Sequence, residues 1–329
     1  MKFLESPSTD PRWNLALEQY VFEQMDRSCS YFLLWQNANT IVVGKNQNTV
    51  QEINNAFVRE EGITVVRRLS GGGAVYHDLG NLNFTFITAA ENGEKIDLQM
   101  FCIPIVETLR SFGVDAVISG RNDITVDGKK FSGNAQYRLH GRVMHHGTIL
   151  FSSDLSKVSR ALRVDEEKIQ SKGIRSVASR VTNLKEYLPS DVTLQTFKGR
   201  LMNYVNAKEA LCPCLLTEED LNAIAQIQEE RYNTWAWNYG RSPVYTINRS
   251  KRIAGCGQVE VSLSVEQGCL KDIQFFGDFF GSEDLNDLAD ILRNCPCRRD
   301  ALLERLAHCE LERYIHGLQA EELIQLITI

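Results

Sequence analysis

Three consecutive glycines, Gly71 to Gly73, lie between two segments whose apolar residues are spaced as in β-strands. Arg67 and Arg68 end the first segment. Glycine tolerates positive φ and leaves the peptide N–H groups open to a ligand, and arginine adds charge-assisted hydrogen bonds. The run therefore predicts a strand–loop–strand unit that binds a phosphate or a carboxylate. The alternative is a glycine-rich hairpin with exposed arginines, which is the commoner meaning of an isolated glycine triplet.

The spacing of these glycines excludes two common nucleotide-binding loops. No Gly-Lys-Ser/Thr follows them, and no helical pattern opens behind them. Neither the Walker nor the Rossmann pattern therefore applies.

The length and composition indicate a globular protein of two domains. A chain of 329 residues exceeds what one hydrophobic core usually supports, and 43% hydrophobic and 24% charged residues are ordinary values. Residues 1–19 lack the apolar stretch of a signal peptide, and no later segment reaches membrane-spanning length. The nine cysteines are scattered and odd in number, which favours a reducing compartment. We therefore expect a cytoplasmic protein without a membrane partner.

A basic segment lies inside this acidic chain. The net charge is -6, but residues 121–185 carry 13 lysines and arginines against 6 aspartates and glutamates. Such a segment suits a phosphate-bearing ligand or an acidic protein partner. Nucleic acid is a weaker interpretation, because the basic residues are interleaved with strand patterns and no nucleic-acid-binding module is recognisable.

Two Cys-Pro-Cys triplets, at 212–214 and 295–297, raise the question of a metal or redox site. Zinc ligands are usually separated by two or more residues, and the intervening proline constrains the cysteines further. We expect these cysteines to be structural.

The hydrophobic patterns predict clustered strands with helices beside them. This is an α+β fold and not a regular βαβ alternation. Thr9 or Asp10 is placed to cap a first helix that has Pro11 in its first turn.

The dipeptide Asp127-Gly128 predicts a hairpin turn. Its strands are expected at 123–126 and 129–138, and two further strand segments at 142–151. A new cycle of strands and helices begins after the turn-rich residues 238–243. We therefore predict two domains, 1–243 and 244–329.

Four ordered segments resemble those of lipoate-protein ligases, within the biotin and lipoate ligase superfamily. They are RRLSGGGAVYHDLGNLNF at 67–84, GRNDITVDGKKFSGNAQYR at 120–138, HHGTILFSSDL at 145–155 and KGIRSVASRVTNL at 172–184. Together they span most of residues 1–190. The resemblance implies a biotin/lipoate ligase-like catalytic domain of mixed sheets flanked by helices, followed by the small α+β C-terminal accessory domain of the bacterial ligases.

The resemblance selects Lys130 as the catalytic residue. The family activates a carboxylic acid as an acyl-adenylate with ATP and then passes the acyl group to a lysine of an acceptor protein. Its functional lysine directly precedes an apolar-Ser/Ala-Gly segment, which here selects Lys130 and not Lys129. On a regular strand Lys130, Ser132 and Asn134 share one face, so only one of the paired lysines is expected to point into the site.

The same resemblance implies the ligand contacts. The residues expected to bind ATP or the adenylate are Arg68, Gly73, Ala74, Val75, Tyr76, Asn81, Asn122, Asp123 and Lys130. The residues expected to bind lipoate are Leu17, Trp35, Ser70, Gly71, Gly72, Gly73, His77, Lys130, His146 and Thr148. Arg67 is expected to point to the face opposite Arg68, and ordinary core packing is the alternative for Leu17 and Trp35.

Asp123 is a candidate ligand for Mg²⁺ held through the phosphates, since Mg²⁺ prefers oxygen ligands. The alternative is an aspartate that ends a strand ladder. His77, His145 and His146 raise the question of zinc, but the adjacent pair alternates faces along a strand. We expect these histidines to pack and to form hydrogen bonds.

Residues 172–183 of the fourth segment are expected to form a mobile lid that closes over the adenylate and excludes water. The lid residues singled out are Lys172, Gly173, Ile174, Arg175, Arg180, Val181, Thr182 and Asn183.

We therefore expect a lipoate-protein ligase that uses ATP and Mg²⁺. The resemblance implies apo lipoyl-carrier proteins as acceptors, either lipoyl domains of 2-oxoacid dehydrogenases or proteins of the glycine-cleavage H type. One alternative is a lipoyl or octanoyl transferase that uses a preformed acyl donor. The octanoyltransferase type that relies on a cysteine is disfavoured, because Cys102 and the other cysteines fall outside the motifs. Another is a non-catalytic carrier-binding module of the same fold, which the retained Lys130, glycines and Arg68 disfavour.

Overall fold

The computed structural model describes residues 1–90, 99–120, 122–162, 181–239, 247–266 and 268–328. The chain divides into two units. The first comprises residues 1–42, 51–66 and 75–234, and the second comprises residues 43–50, 67–74 and 235–329. The second unit thus joins the end of the chain to two loops of its first half, one of which carries the three glycines. The predicted boundary after residue 243 falls among residues outside the described ones, so it stays a prediction.

The described strands form three sheets. They are β1 (Lys2–Glu5), β2 (Tyr31–Trp35), β3 (Thr40–Val43), β4 (Thr64–Arg67), β5 (Val75–His77), β6 (Asn81–Ala89), β7 (Ala116–Ser119), β8 (Asp123–Val126), β9 (Lys129–Leu139), β10 (Arg142–Leu150), β11 (Cys212–Pro213), β12 (Ile247–Ile253), β13 (Gly257–Glu266) and β14 (Cys269–Gly277). The large sheet has the order β11-β1-β2-β6-β10-β9-β8-β7, and the two small sheets have the orders β4-β3-β5 and β12-β13-β14. Within the large sheet, β1 pairs parallel with β2 and β11, whereas β2, β6, β10, β9, β8 and β7 pair antiparallel in succession.

The described helices alternate with these strand clusters. They are α1 (Pro11–Glu23), α2 (Thr49–Glu52), α3 (Asn55–Glu60), α4 (Gln99–Arg110), α5 (Leu155–Ala161), α6 (Leu194–Lys208), α7 (Glu218–Ile227), α8 (Trp235–Asn238), α9 (Leu285–Leu292), α10 (Arg299–Leu306), α11 (Leu311–Tyr314) and α12 (Ala320–Ile327). A 3₁₀ turn lies at Leu184–Glu186 and a π-helical turn at Gln228–Tyr232. The predicted α+β class is confirmed.

Both ends of α1 are fixed by side chains. At its start, Oδ1 of Asp10, one of the two predicted capping residues, accepts a hydrogen bond from the N–H of Arg12 at 2.9 Å. At its end, the buried guanidinium of Arg142 donates to the carbonyl oxygens of Val21 at 3.1 Å and Phe22 at 2.6 Å. A cation suits the carbonyl end of a helix. This helix is therefore held at a defined position within the first unit.

The predicted hairpin is present, and its turn residues Asp127 and Gly128 have φ values of 49° and 73°. The prediction of two strand segments from 142 to 151 is wrong. The segment forms one continuous strand, β10, that pairs with β6 along Arg142–Leu150 and with β9 along Arg142–Gly147. Residues 142–147 are paired on both sides and residues 148–150 on the β6 side, so nothing interrupts the strand.

Each unit has a core of its own. In the first unit, α4 and α6 pack on the apolar face of the large sheet, around Phe84, Ile105 and Leu201. In the second unit, α9 and α12 pack on the β12-β13-β14 sheet, α10 packs on both of these helices, and the core includes Val261 and Leu288. No helix in the described part of the chain is long and apolar enough to cross a membrane.

Gly147 on β10 tests how closely the large sheet is packed. A Cβ there would lie 2.5 Å from Cζ of Phe84 and would overlap Oδ1 of Asn134. We expect Gly147→Ala to lower the free energy of unfolding by about 1–3 kcal/mol because the core must move to admit the methyl group. Urea unfolding followed by tryptophan fluorescence measures the change.

Gly199 in α6 is the matched control, since a Cβ there meets no atom within 4 Å. Gly199→Ala should raise the free energy of unfolding by up to about 1 kcal/mol through helix propensity. Equal effects of the two substitutions would contradict the packing of β10.

Candidate active site

The central strands of the large sheet have an apolar face and a polar face. On β6, Leu82, Phe84 and Phe86 enter the core, and Asn83 and Thr85 alternate with them on the other side. On β10, His146 lies opposite Thr85, and Thr148 lies opposite Asn83. We call the side that carries Asn83, Thr85, His146 and Thr148 the polar face.

A buried network of hydrogen bonds joins this polar face to α1. Nε1 of Trp35 donates to Oγ1 of Thr85 at 3.0 Å, and that hydroxyl donates to Oε1 of Glu18 at 2.6 Å. Nδ1 of His146 lies 2.9 Å and 3.1 Å from the two carboxylate oxygens of Glu18. The structure therefore brings together Trp35 and His146, two of the predicted lipoate-binding residues.

Glu18 was missed by the sequence analysis. A signal was present, because Asn14 and Glu18 are polar residues four positions apart on α1, interspersed with apolar residues such as Leu15 and Leu17, and both are buried. Buried polar groups need partners. Such a pair predicts a polar network, although the sequence does not say with which strands.

His77 lies near the same network. Its ring centroid is 6.3 Å from that of Trp35, and its Nδ1 lies 3.1 Å from Nδ2 of Asn37. The side chain of Leu17 is buried as well.

Three residues expected to bind the nucleotide, Val75, Tyr76 and Asn81, lie on β5 and at the start of β6. Val75 is partly exposed. On the same strand, the hydroxyl of Tyr76 donates to Oδ1 of Asn39 at 2.9 Å. Asn81 donates through Nδ2 to Oδ1 of Asn83 at 3.0 Å.

Lys130 lies over Gly133 on β9. A Cβ on Gly133 would be 2.9 Å from Nζ of Lys130, and the N–H of Gly133 donates to Oγ1 of Thr148 at 3.2 Å. Nζ of Lys130 lies 2.6 Å from Oδ1 of Asp123, and both side chains are partly exposed. The structure thus brings together Lys130, Asp123 and Thr148, whereas Lys129 points to solvent.

The prediction that Lys130, Ser132 and Asn134 share one face is wrong, because β9 contains a bulge. Thr125 of β8 lies opposite Lys130 and Ile124 lies opposite Ser132, which leaves Phe131 as an extra residue. Phe131 is fully buried in the core. The bulge therefore shifts the alternation, and Lys130 and Gly133 come to the same side.

Asn122 ties the start of β8 to β9. Its Nδ2 donates to the carbonyl oxygen of Asn134 at 2.7 Å, and its own carbonyl oxygen accepts the N–H of Asn134 at 2.9 Å. These two hydrogen bonds fix the residue that precedes Asp123 against β9. Its expected contact with the nucleotide stays a prediction.

The two adjacent histidines lie on opposite faces of β10, as predicted. His145 stacks between Phe84 and Phe101, with ring centroids 6.0 Å and 4.9 Å away, and its Nε2 lies 3.2 Å from Oδ1 of Asn134. Burial, and to a smaller extent the neighbouring His146, lowers the pKa of His145 to about 3. His145 is therefore a neutral core residue at physiological pH.

In the second unit, Arg68 shapes the glycine loop. Its Nε donates to Oγ of Ser70 at 3.0 Å, and its Nη2 donates to the carbonyl oxygens of Gly71 at 2.6 Å and Gly73 at 2.9 Å. The loop is thus held by the arginine that the resemblance assigns to phosphate binding. Ala74 ends this loop and is partly exposed.

The three glycines meet different requirements within that unit. Gly72 has a φ of 89°, which favours glycine. Gly71 lies so close to the chain at Phe279 that a Cβ would be 2.5 Å from its carbonyl oxygen, and the N–H of Gly72 donates to the same oxygen at 3.3 Å. Gly73 is exposed, and a Cβ there would meet nothing within 4 Å. Gly73 is therefore the glycine whose backbone is most open to a ligand.

Arg67 has different surroundings from Arg68. Its side chain is fully buried, and Nη1 donates to the carbonyl oxygens of Gly44 at 2.8 Å, Lys45 at 2.9 Å and Gln47 at 2.7 Å. These are neutral acceptors on the main chain. Sequence reasoning did not identify them, because no local pattern marks the carbonyl groups that an arginine will meet.

The predicted lid is described only at its end. The N–H of Thr182 donates to the carbonyl oxygen of Lys130 at 2.9 Å, and Val181 forms a parallel bridge with Lys130. The amide of Asn183 exchanges two hydrogen bonds with the main chain of Ser153, both at 2.9 Å. These three residues are anchored to the first unit. The other predicted lid residues, Lys172, Gly173, Ile174, Arg175 and Arg180, lie outside the described residues.

Two family models match the chain. One describes the lipoyl protein ligase A/B catalytic domain and covers residues 10–206. The other describes the C-terminus of bacterial lipoate protein ligases and covers residues 242–327. Together the models extend over most of the chain.

Individual proteins match along the full length as well. The chain is 43% identical to the lipoate-protein ligase LplJ of Bacillus subtilis, with 99% of this chain and 100% of the relative covered. The structure of P. falciparum LipL1 in complex with lipoate has a TM-score of 0.81 at 25% identity, with 99% of each chain covered. A lipoate-protein ligase A bound with ATP has a TM-score of 0.63 at 24% identity, with 73% of this chain and 98% of the other covered.

The buried His145 predicts a pH dependence of stability. An unfolded histidine titrates near 6.5. Between that value and the lower pKa of the folded state, the unfolded chain binds a proton that the folded protein does not. The free energy of unfolding should therefore fall as the pH decreases from about 6.5 toward 3.

We expect His145→Gln to lose less stability between pH 7 and pH 5 than the unsubstituted protein does, because it removes this titration. Urea midpoints at both pH values measure the difference. His308→Gln, at an exposed site, is the control. Parallel pH profiles for the unsubstituted protein and His145→Gln would contradict the assignment.

Proposed function

The chain belongs to the lipoate-protein ligase family, and on that premise we propose that it attaches lipoate to a lysine of an acceptor protein in two steps. In the first, a carboxylate oxygen of lipoate attacks the α-phosphorus of ATP, which forms lipoyl-AMP and releases pyrophosphate. In the second, the acceptor amine attacks the acyl carbon, the bond from that carbon to the phosphate oxygen breaks, and AMP leaves. The amine loses a proton in the second step.

The position of Lys130 is the observation that carries this proposal. Its Nζ holds a carboxylate oxygen of Asp123 at 2.6 Å, so the ammonium group already has the geometry for an oxyanion. We propose that the lipoate carboxylate and the α-phosphate take up this interaction when they bind. Negative charge develops near this position in both steps, and a fixed cation stabilises it.

The network on the polar face supports an acyl-binding role for Trp35, His77 and His146. The polar atoms that Trp35 and His146 use in it, Nε1 and Nδ1, have partners within the first unit. An acyl chain that packs against these rings therefore leaves those two groups satisfied. Each buried methylene contributes about 0.8 kcal/mol, so a short chain with a dithiolane ring gains several kcal/mol of affinity. We assign Leu17 and Thr148 to the same ligand.

We propose that the glycine loop serves both substrates. Arg68 and Gly73 would bind the phosphates of ATP, with Arg68 as the fixed charge, and Ser70, Gly71, Gly72 and Gly73 would contact lipoate. The exposed main chain of Gly73 supports this assignment. The main chain of Ala74, Val75 and Tyr76 would follow the nucleotide, as the family resemblance implies. Asn81 and Asn122 are assigned to polar contacts with it.

Magnesium fits this chain as an ion that arrives with ATP. Among the described residues, no group of three or more His, Cys, Asp and Glu side chains could hold a metal ion. Asp123 supplies one carboxylate, and Mg²⁺ commonly binds through one or two carboxylates together with substrate phosphates. Bound there, the ion would neutralise phosphate charge, while Asp123 would exchange its contact with Lys130 for the ion.

As acceptors we propose apo lipoyl domains and proteins of the glycine-cleavage H type, which the family resemblance implies. The basic segment 121–185 supports an acidic protein surface as the partner, because opposite charges steer association. The cysteine pattern supports a cytoplasmic location. We propose neither nucleic acid nor a membrane as a partner.

The alternative of an acyl transferase that works through Cys102 is disfavoured by the location of that thiol. Cys102 is buried in the core on the apolar face of the large sheet, with its Sγ 4.0 Å from Nε2 of His145. A nucleophilic thiol needs access to the acyl donor and an environment that favours thiolate, and the apolar core provides neither.

Incubation with free lipoate, ATP, Mg²⁺ and an apo lipoyl domain tests the complete reaction. We expect lipoate-dependent release of pyrophosphate and a mass increase of the acceptor that corresponds to one lipoyl group. A protein that modifies the acceptor only when lipoyl-AMP or another acyl donor is supplied would be a transferase. A protein that binds the acceptor and modifies it under neither condition would be a carrier-binding module.

Replacement of Lys130 tests the assignment of the catalytic cation. We expect Lys130→Ala to slow lipoyl-AMP formation on the order of a hundredfold or more, which is the usual effect of removing one charge-stabilising contact. Lys129→Ala is the matched control, because its side chain is exposed and one residue away. Circular dichroism should show both variants folded. Retained activity in Lys130→Ala would move the catalytic role to another residue.

A further inference from the structure

β4 is an edge strand of its sheet and ends at the buried Arg67. Two side chains from α8 hold the main chain of this arginine. On the inner edge, the next residue pairs with β3, since the N–H of Arg68 donates to the carbonyl oxygen of Val43 at 3.0 Å. On the outer edge, the N–H of Arg67 donates to Oδ1 of Asn238 at 2.9 Å, and the carbonyl oxygen of Arg67 accepts Nε1 of Trp237 at 2.9 Å. Two side chains thus supply the hydrogen bonds to the main chain of Arg67 that a neighbouring strand would otherwise supply.

The guanidinium of Arg67 adds further hydrogen bonds to this junction between the end of β4 and α8. Its Nε donates to the carbonyl oxygen of Trp237 at 2.9 Å, and its Nη2 donates to Oγ1 of Thr49 at 2.6 Å. That hydroxyl donates to the carbonyl oxygen of Asn238 at 2.6 Å. A buried guanidinium is costly unless its donors are satisfied, so these acceptors and the arginine fix one another.

The junction determines where the glycine loop begins. Arg68 follows Arg67 directly, and its side chain binds Ser70, Gly71 and Gly73. A change of the main-chain angles at Arg67 would swing this guanidinium away from the loop carbonyl groups. The main chain of Arg67 therefore sets the position of the proposed phosphate-binding loop.

We propose that Asn238 is a positioning residue for nucleotide binding, and that it acts through Arg67. Its amide oxygen holds the N–H of Arg67 and thereby aligns Arg68 and the glycines for ATP. This proposal rests on the proposed function of the glycine loop. It assigns no contact between Asn238 and the substrates.

Steady-state kinetics of lipoate-dependent pyrophosphate exchange test this role. Asn238→Ala removes the acceptor and should raise the KM for ATP about tenfold, the effect of leaving one buried N–H unsatisfied. The KM for lipoate should rise clearly less than the KM for ATP, since Arg68 is assigned to ATP and most residues assigned to the acyl chain, among them Trp35, His77 and His146, lie in the first unit. Asn238→Asp keeps an acceptor oxygen in place and should recover most of the loss.

Two further variants separate positioning from folding. Asn233→Ala is the control, because Asn233 is exposed and its amide binds Glu229. Trp237→Phe keeps an aromatic ring and deletes the Nε1 donor to Arg67, so a smaller rise of the KM for ATP is expected even where Asn238→Ala fails to fold. Unchanged ATP kinetics in Trp237→Phe and in folded Asn238→Ala would overturn the proposal. Equal losses for ATP and lipoate, or no recovery with Asp, would also overturn it.

A direct measurement of ATP binding tests the positioning role independently of the proposed ligase activity. If the unsubstituted protein shows no lipoate-dependent exchange, the ligase proposal fails. Calorimetric titration with ATP and Mg²⁺ then still compares Asn238→Ala with Asn238→Asp. A Kd about tenfold weaker for the alanine variant alone supports the positioning role, and equal Kd values contradict it.

Discussion

The burial of one guanidinium group holds together three stretches of the second unit. Arg67 is removed from solvent, so its donors must find acceptors in the protein. They find them on the loop 43–50 and on the helix that contains Trp237. Three stretches that are far apart in sequence are thereby held to one arrangement. The glycine loop inherits its position from this arrangement, because it starts at the next residue.

The first unit separates its tasks by the two faces of one sheet. His145 and His146 are adjacent, yet one stacks on phenylalanine rings in the core and the other binds the carboxylate of Glu18. Phe131 and Lys130 show the same separation on β9. β9 and β10 thus place core residues on one side and proposed site residues on the other, and a residue's neighbour in sequence says little about its surroundings.

Features with a local physical cause could be predicted from the sequence. Asp10 caps α1 because a short acceptor precedes a helical pattern, and Asp127-Gly128 turns because both residues adopt positive φ. Prediction of the site residues required the family motif as well, since spacing alone does not select Lys130. The bulge at Phe131 depends on the pairing with β8, and the contact from Arg67 to Asn238 joins residues 171 positions apart. No local pattern contains such information.

The bulge in β9 also affects how this hairpin can change in evolution. An insertion at the Asp127-Gly128 turn lengthens an exposed loop and leaves the paired strands in register. A deletion of one residue between Lys130 and Ser132 would remove the bulge and return the strand to regular alternation. The core would then lose the ring of Phe131, the residue that the bulge accommodates. Homologous chains should therefore vary in length at the turn and keep a constant number of residues across the bulge.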